Sequence, residues 1–408
     1  MREAEQSYRE ALSLQREIGD QAGISTSLVN LAALINEDLG RPDDALPLLR
    51  EALQIRRDVG NTNGEALVLN NIGSVYDGKG QYSEAQTYFE RALELREKTK
   101  VPREIADTLH NLAETLSKEG RFDQALSRYL RALDLRRGAG DRRGAAIESY
   151  SIVTIFDYQG RYGAAVKSKE EALQAFRDLK QKDRWLGEIL SGLGRSLALS
   201  GRMEDAGQRL EDAMTVARDL RNPGLTSQIM TFQADRLYLG GDIKGANRLA
   251  EQALQTASRA SDRALALLTQ VEMTMTAAAL QPSQALASRL GALAQEADTL
   301  GLKSLSVECT VHRAETLLKL GDRAVARREA ERALAQAETF GLQPLLATTH
   351  YLRAELLRLT GSAEARADYA SALRLLDEIK GEEGSQNLLT RADLGPMREA
   401  CARWSKAA

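Results

Sequence analysis

His110, His312 and His350 are the three histidines of this 408-residue chain, and Cys309 and Cys401 its two cysteines. They set the ceiling on acid–base, nucleophilic and metal chemistry. A general base needs a partner that orients it, and a zinc site needs His and Cys at short, fixed spacing. The histidines lie tens of residues apart, with no HExxH motif and no Cys and His cluster. Two widely separated cysteines argue against a disulfide framework and fit a reducing compartment. The run Gly160-Arg161-Tyr162-Gly163-Ala164-Ala165-Val166-Lys167-Ser168 has the outline of a phosphate loop, but its second glycine is misplaced and no strand precedes it. The acidic pairs Asp43-Asp44 and Glu382-Glu383 fall at helix starts or turns, where the helix dipole favours anions. Arg16, Arg57, Arg137, Arg177 and Arg218 recur near helix ends, where cations complement the dipole. The expectation is a protein that is not an enzyme and carries no cofactor and no metal.

The elements that carry these residues are helices. Aromatics make up 5% of the chain and charged residues 28%, which favours long amphipathic helices with small residues at their contacts. A net charge of -3 offers no general basic field for a phosphate backbone, so nucleic acid is not an expected partner. The first residues are charged from Arg2 onward, with no apolar core for a signal peptide, and no later stretch approaches a membrane span. A cytoplasmic protein without membrane contact is expected.

Writing the chain in rows of about 40 aligns an alanine followed by Leu or Met at Ala11, Ala52, Ala92, Ala132, Ala172, Ala213, Ala253, Ala292, Ala333 and Ala372. Another lies seven residues earlier, at Ala4, Ala45, Ala85, Ala125, Ala165, Ala206, Ala246, Ala285, Ala326 and Ala365. Two alanines seven apart share one helix face and let a neighbouring helix come close. A glycine about five residues before the first alanine, at Gly40, Gly80, Gly120, Gly160, Gly201, Gly241 and Gly321, ends the preceding helix. Polar breaks such as Gly60-Asn61, Gly140-Asp141 and Asn222-Pro223 separate the units, and Pro102, Pro223 and Pro344 open following helices. The unit is helix, tight turn, helix.

These residues resemble the tetratricopeptide repeat, whose pattern is a large apolar residue then Gly, Tyr three on, and later Ala, an aromatic four on, and Ala again. Residues 62 to 101 match it with Ile72-Gly73, Tyr76, Ala85, Phe89 and Ala92. Residues 103 to 141 supply Leu112-Ala113, Leu116, Ala125, Tyr129 and Ala132, and residues 183 to 222 supply Leu193-Gly194, Leu197, Ala206, Leu210 and Ala213. The unit is 40 rather than 34 residues long, similar to kinesin light chains and bacterial regulator modules. The aromatic position weakens to Lys169, Ala250, Arg289 and Ala330. HEAT and armadillo repeats share the length but not this pattern. The resemblance implies an all-α, right-handed superhelical solenoid over residues 1–380. Residues 1–20 form a half repeat, about nine repeats follow, and residues 381–408 form a capping helix holding Met397, Cys401 and Trp404. The half repeat lacks its first helix, so a longer parent protein is expected.

In that family the first helices line the concave face. Counting along the pattern places Asn30, Asn71 and Asn111 there, with Asn70, His110 and Tyr150 beside them. Ser74, Glu114, Thr154 and Arg195 follow, and then Glu37, Asp77 and Asp157. A rung of asparagines offers donor and acceptor together and can hold an extended peptide backbone without reading its sequence. The set is polar and leans acidic, implying a protein or peptide partner of basic or neutral character. A binding scaffold within a larger bacterial protein is the expected function. The alternative is a ligand-sensing module of a multidomain signalling or transcription regulator. Oligomeric state is not legible.

Overall fold

The computed structural model describes residues 2–38, 41–258 and 262–406, and among them there are helices and turns but no strand. The helices are α1 Arg2–Ile18, α2 Gln21–Ala33, α3 Pro42–Asp58, α4 Thr62–Gly78, α5 Tyr82–Thr99, α6 Pro102–Lys118, α7 Phe122–Gly138, α8 Arg142–Tyr158, α9 Tyr162–Asp178 and α10 Arg184–Leu199. They continue as α11 Met203–Asp219, α12 Pro223–Leu239, α13 Ile243–Ala257, α14 Arg263–Leu280, α15 Gln284–Thr299, α16 Lys303–Lys319, α17 Arg323–Thr339, α18 Gln343–Arg358, α19 Ala365–Gly381 and α20 Leu394–Trp404. A π-helical turn, Leu34–Asp38, prolongs α2. The chain forms two units, Met1–Glu148 and Ser149–Ala408, each a run of helix hairpins in which sequence neighbours pack together.

Local chemistry accounts for the starts and stops. Asn61 accepts a hydrogen bond from the Gly64 N–H at 2.8 Å, and Asp242 does the same for Gly245 at 2.9 Å, satisfying amides that no helical carbonyl can reach. Gly80, Gly120, Gly160, Gly201, Gly241 and Gly321 all take positive φ at the turns where the pattern placed them. Gly40 lies outside the described residues.

The alanine pairs are the inter-helix contacts. Ala45, Ala52, Ala85, Ala92, Ala125, Ala132, Ala206, Ala213, Ala246, Ala253, Ala326 and Ala333 are fully buried. Ala285 and Ala292 are not: both are exposed, and Ala287 and Ala294 occupy the contact instead. The preceding turn has no glycine. It runs through Gln281 and Pro282 to Ser283, which caps Leu286 N at 3.3 Å, and this connection shifts the register by two residues. The aromatic position of that repeat therefore falls on Gly291 rather than Arg289, and Leu290 supplies the buried bulk. In the best-matching repeat the family glycine has a visible cause: a Cβ on Gly73 would stand 2.6 Å from the ring of Phe89, itself 1% exposed.

At the end of the second unit α20 packs on α19 through Met397 and Cys401, while Trp404 lies under the guanidinium of Arg358 at 5.0 Å. The segment joining α19 to α20 runs past the turns that follow α8, α10 and α12. Glu382 accepts from Gly163 N at 3.3 Å, and Thr390 donates to the Gly201 carbonyl at 3.2 Å. Arg391 donates to the Leu199 carbonyl at 3.1 Å, and Ala392 N donates to the Leu239 carbonyl at 2.8 Å. A Cβ on Gly163 would overlap the Glu383 carbonyl oxygen. Gly163 thus serves this strap rather than any phosphate.

Candidate functional site

In the first unit polar residues of α4 and α6 bond to one another from rung to rung. Asn111 Nδ2 donates to Asn70 Oδ1 at 3.3 Å, and Thr115 donates to Asp77 at 2.8 Å. Lys118 Nζ lies 2.5 Å from Asp77 and 3.1 Å from Glu114. Ser74 turns its hydroxyl back onto the Asn70 carbonyl at 3.2 Å. Asn30 is exposed and Asn71 half-buried, whereas Asn70 is buried. The side chain of Glu37 lies outside the described residues. Lys118, absent from the sequence-based set, changes the electrostatics of this face. Burial works against its charge, but Glu114 and Asp77 prevail and hold it protonated. The acidic lean read from the sequence is offset at this rung.

His110 is held in place rather than poised for proton transfer. Its Nδ1 lies 3.0 Å from the fully buried Glu148 carboxylate, and its ring meets Tyr129 edge-on at 5.6 Å between centroids. Glu148 also takes Arg136 at 2.9 Å, which reaches on to Asp107 at 2.9 Å and Asp141 at 3.0 Å. Burial pulls the imidazole pKa down, but the hydrogen bond and charge of Glu148 outweigh it and leave it above 6.5. A raised folded pKa stabilises fully below the unfolded value and loses that contribution as pH rises through the folded one. The urea midpoint of the first unit's transition is therefore expected to fall between about pH 6 and pH 9 by more in the native chain than in His110→Gln. Equal slopes for the two proteins would refute this.

In the second unit Tyr150 serves packing. Its ring lies against Gly192, meets Trp185 edge-on at 6.4 Å and carries Lys169 Nζ 5.8 Å from its centroid. Thr154 turns back onto the Tyr150 carbonyl at 3.5 Å. Asp157 belongs to a buried cluster with Lys169 Nζ at 2.7 Å and Ser196 Oγ at 2.8 Å. Burial lowers the Lys169 pKa against the pull of Asp157.

Asp157 and Arg195 also line a cavity of about 440 Å³, bounded by α10, α12, α14, α16 and α18 and by the strap. Arg195 Nε stands 3.9 Å from Asp235, and its guanidinium lies 5.2 Å from the Phe232 ring centroid. Burial pushes the Asp235 carboxyl up to about 6 despite Arg195. Glu272, 7% exposed, is pushed well above the carboxylate range by burial and by the charges of Asp235 and Glu308. Glu315 is the opposite case. His312 at 3.4 Å and Lys319 at 3.1 Å overcome its burial and bring it down to about 2. Of the residues expected on the concave face, only Asp157 and Arg195 reach this cavity. Asp235, Glu308 and Arg391 also line it and were missed. A repeat pattern flags the small and aromatic packing positions, and these three stand at none of them.

The sequence profile of the tetratricopeptide repeat matches residues 1–58, 23–98 and 104–178. Over those residues the chain is a tetratricopeptide-repeat protein. No curated protein sequence matches it significantly. Among solved structures it is similar to RapI in its apo form, with 13% identity over 77% of this chain and 97% of that one and a TM-score of 0.51. It is also similar to BtubC (BKLC) from P. vanneervenii, with 18% identity, 53% and 91% coverage and a TM-score of 0.47. The human IFIT1 dimer with m7Gppp-AAAA matches at 15% identity, 98% and 95% coverage and a TM-score of 0.47. The RapI likeness speaks to the fold alone. Beyond residue 178, the buried alanine pairs and positive-φ turn glycines carry the repeat onward.

Proposed function

We propose that this tetratricopeptide-repeat protein is a non-catalytic binding module of the bacterial cytoplasm, taking an extended peptide of a partner on α2, α4 and α6. One observation carries the reading. The side-chain amides of Asn30 and Asn71 make no hydrogen bond among the described residues, and that of Asn111 makes one, to Asn70. Each leaves a donor and an acceptor unspent at the same register of alternate helices, which suits the alternating N–H and C=O groups of an extended chain. With Lys118 offsetting Asp77 and Glu114, a neutral segment fits best.

Peptides selected from a displayed random library against the whole chain test this by fluorescence anisotropy. Two lost neutral hydrogen bonds remove about 1–3 kcal/mol, so Asn71→Ala with Asn111→Ala is expected to weaken binding by about tenfold or more with an unchanged melting curve. Selected peptides that bind the double variant as tightly as the native chain would count against this face. A second reading, a ligand-sensing module, is favoured by the cavity of the second unit.

A further inference from the structure

The charged side chains that line the cavity of the second unit fall into two sets. In the first, every group is matched: Asp157 has Lys169 at 2.7 Å, Glu315 has Lys319 at 3.1 Å and His312 at 3.4 Å, and Arg391 has Asp393 at 2.6 Å and the Leu199 carbonyl at 3.1 Å. The second set is Arg195 on α10, Asp235 on α12 and Glu308 on α16. Arg195 Nε comes no closer to Asp235 than 3.9 Å, beyond hydrogen-bond reach, although the two side chains are only 24% and 18% exposed. That Nε is buried with no hydrogen-bond partner. Among the described residues the guanidinium donates no hydrogen bond and the Asp235 carboxylate accepts none. Buried polar groups are nearly always bonded, so an open donor beside an open acceptor on a cavity wall marks a place where a third group joins them.

We propose that this cavity binds an α-amino acid with a large apolar side chain, its carboxylate on Arg195 and its ammonium on Asp235. The two charged groups of an α-amino acid sit on one carbon, so together they can meet a donor and an acceptor 3.9 Å apart. A lining of both signs disfavours simpler ions. A lone cation would face Arg195, Lys319 and Arg391, and a lone anion Asp235, Glu308 and Glu315, whereas a zwitterion offers each member of the open pair its opposite charge. Glu308, which forms no ion pair within 4 Å among the described residues, gives the cavity a second open carboxylate. Much of the remaining wall is apolar, through Leu239, Met275, Val311, Leu345, Leu352 and Met397. The volume of about 440 Å³ lies within the roughly 300–1,000 Å³ of small-ligand sites, which leaves space for a branched or aromatic side chain beside the charged head and is too small for a folded partner.

The inference rests on the ligand-binding part of the sensing reading and not on the peptide face. Isothermal titration of the full chain tests it with four probes: phenylalanine, phenethylamine and 3-phenylpropionate, which each lack one of its charges, and glycine, which lacks its apolar body. Phenylalanine is expected to bind at least about tenfold more tightly than each of the other three. Arg195→Gln is expected to weaken phenylalanine by about tenfold or more and to leave phenethylamine unweakened. Asp235→Asn, which keeps the side-chain shape, is expected to weaken phenylalanine similarly and to leave 3-phenylpropionate unweakened. The probe series on the native chain decides by itself where a variant folds poorly. Tighter binding of phenethylamine or 3-phenylpropionate than of phenylalanine overturns the zwitterion and leaves a ligand site standing. Glycine binding as tightly as phenylalanine overturns the apolar side chain. Absence of heat with all four probes overturns the proposal and the ligand site together. Unchanged phenylalanine affinity in folded Arg195→Gln and Asp235→Asn overturns the assignment of this pair.

Discussion

Lys169→Met is expected to lower the stability of the second unit by about 3–5 kcal/mol, the usual cost of stripping one partner from a buried ion pair. Lys169 is 2% exposed and sits where other repeats carry an aromatic or an aliphatic residue, such as Phe89, Leu210 or Ala250. Its ammonium bonds Asp157 at 2.7 Å, Ser196 Oγ at 2.6 Å and the Gly192 carbonyl at 3.3 Å, tying α8, α9 and α10 together. Methionine keeps the volume but strands the Asp157 carboxylate, 4% exposed in its side chain, with Ser196 as its remaining donor. Putting Leu at position 157 as well removes the stranded charge, so the double variant should be more stable than Lys169→Met alone. Urea denaturation followed by hydrogen exchange on α8 to α10 measures both. A double variant that simply sums the two single losses would show that the ion pair is not the source of the effect.

Arg391→Ala is expected to cost about 2–4 kcal/mol and to release the strap. The side chain is 8% exposed and reaches Asp393 with two bonds, at 3.0 and 2.6 Å, while its remaining nitrogen donates to the Leu199 carbonyl. Alanine leaves that carbonyl without this donor and Asp393 without its counter-charge. Asp393 is 30% exposed and can recover water, which keeps the loss below that expected for Lys169. Residues 382–393 should then become the first site of proteolysis, at a rate well above that of the native chain. Gly163→Ala should do the same by a different route, since the added methyl overlaps the Glu383 carbonyl oxygen. Native-like protection of the strap in both variants would show that these contacts do not hold it.

Much of this architecture is legible from residue types at fixed stride. Ala85 with Ala92, and Ala125 with Ala132, are buried because close helix approach tolerates only small side chains, and that demand repeats in every hairpin. The turn glycines are equally local, since a left-handed residue that ends a helix favours the side chain with no Cβ. Where a turn was built another way, at Gln281 to Ser283, the pattern slipped by two residues and picked out Ala285 and Ala292.

The chemistry of the faces was legible only in part. Asn30, Asn71 and Asn111 could be placed by counting, but not the bond from Asn111 to Asn70 or the arrival of Lys118 beside Asp77. The second unit resisted further. Asp235 and Glu308 stand at different register positions on two helices, and Arg391 arrives from a strap about 190 residues later in the chain than the Leu199 carbonyl it meets. By itself the sequence determined the helices, their turns and their pairing, because those rest on contacts between near neighbours that recur with a fixed period. Only the tertiary structure decided which charges share a cavity and which are paired, because those contacts depend on how successive hairpins stack and obey no period.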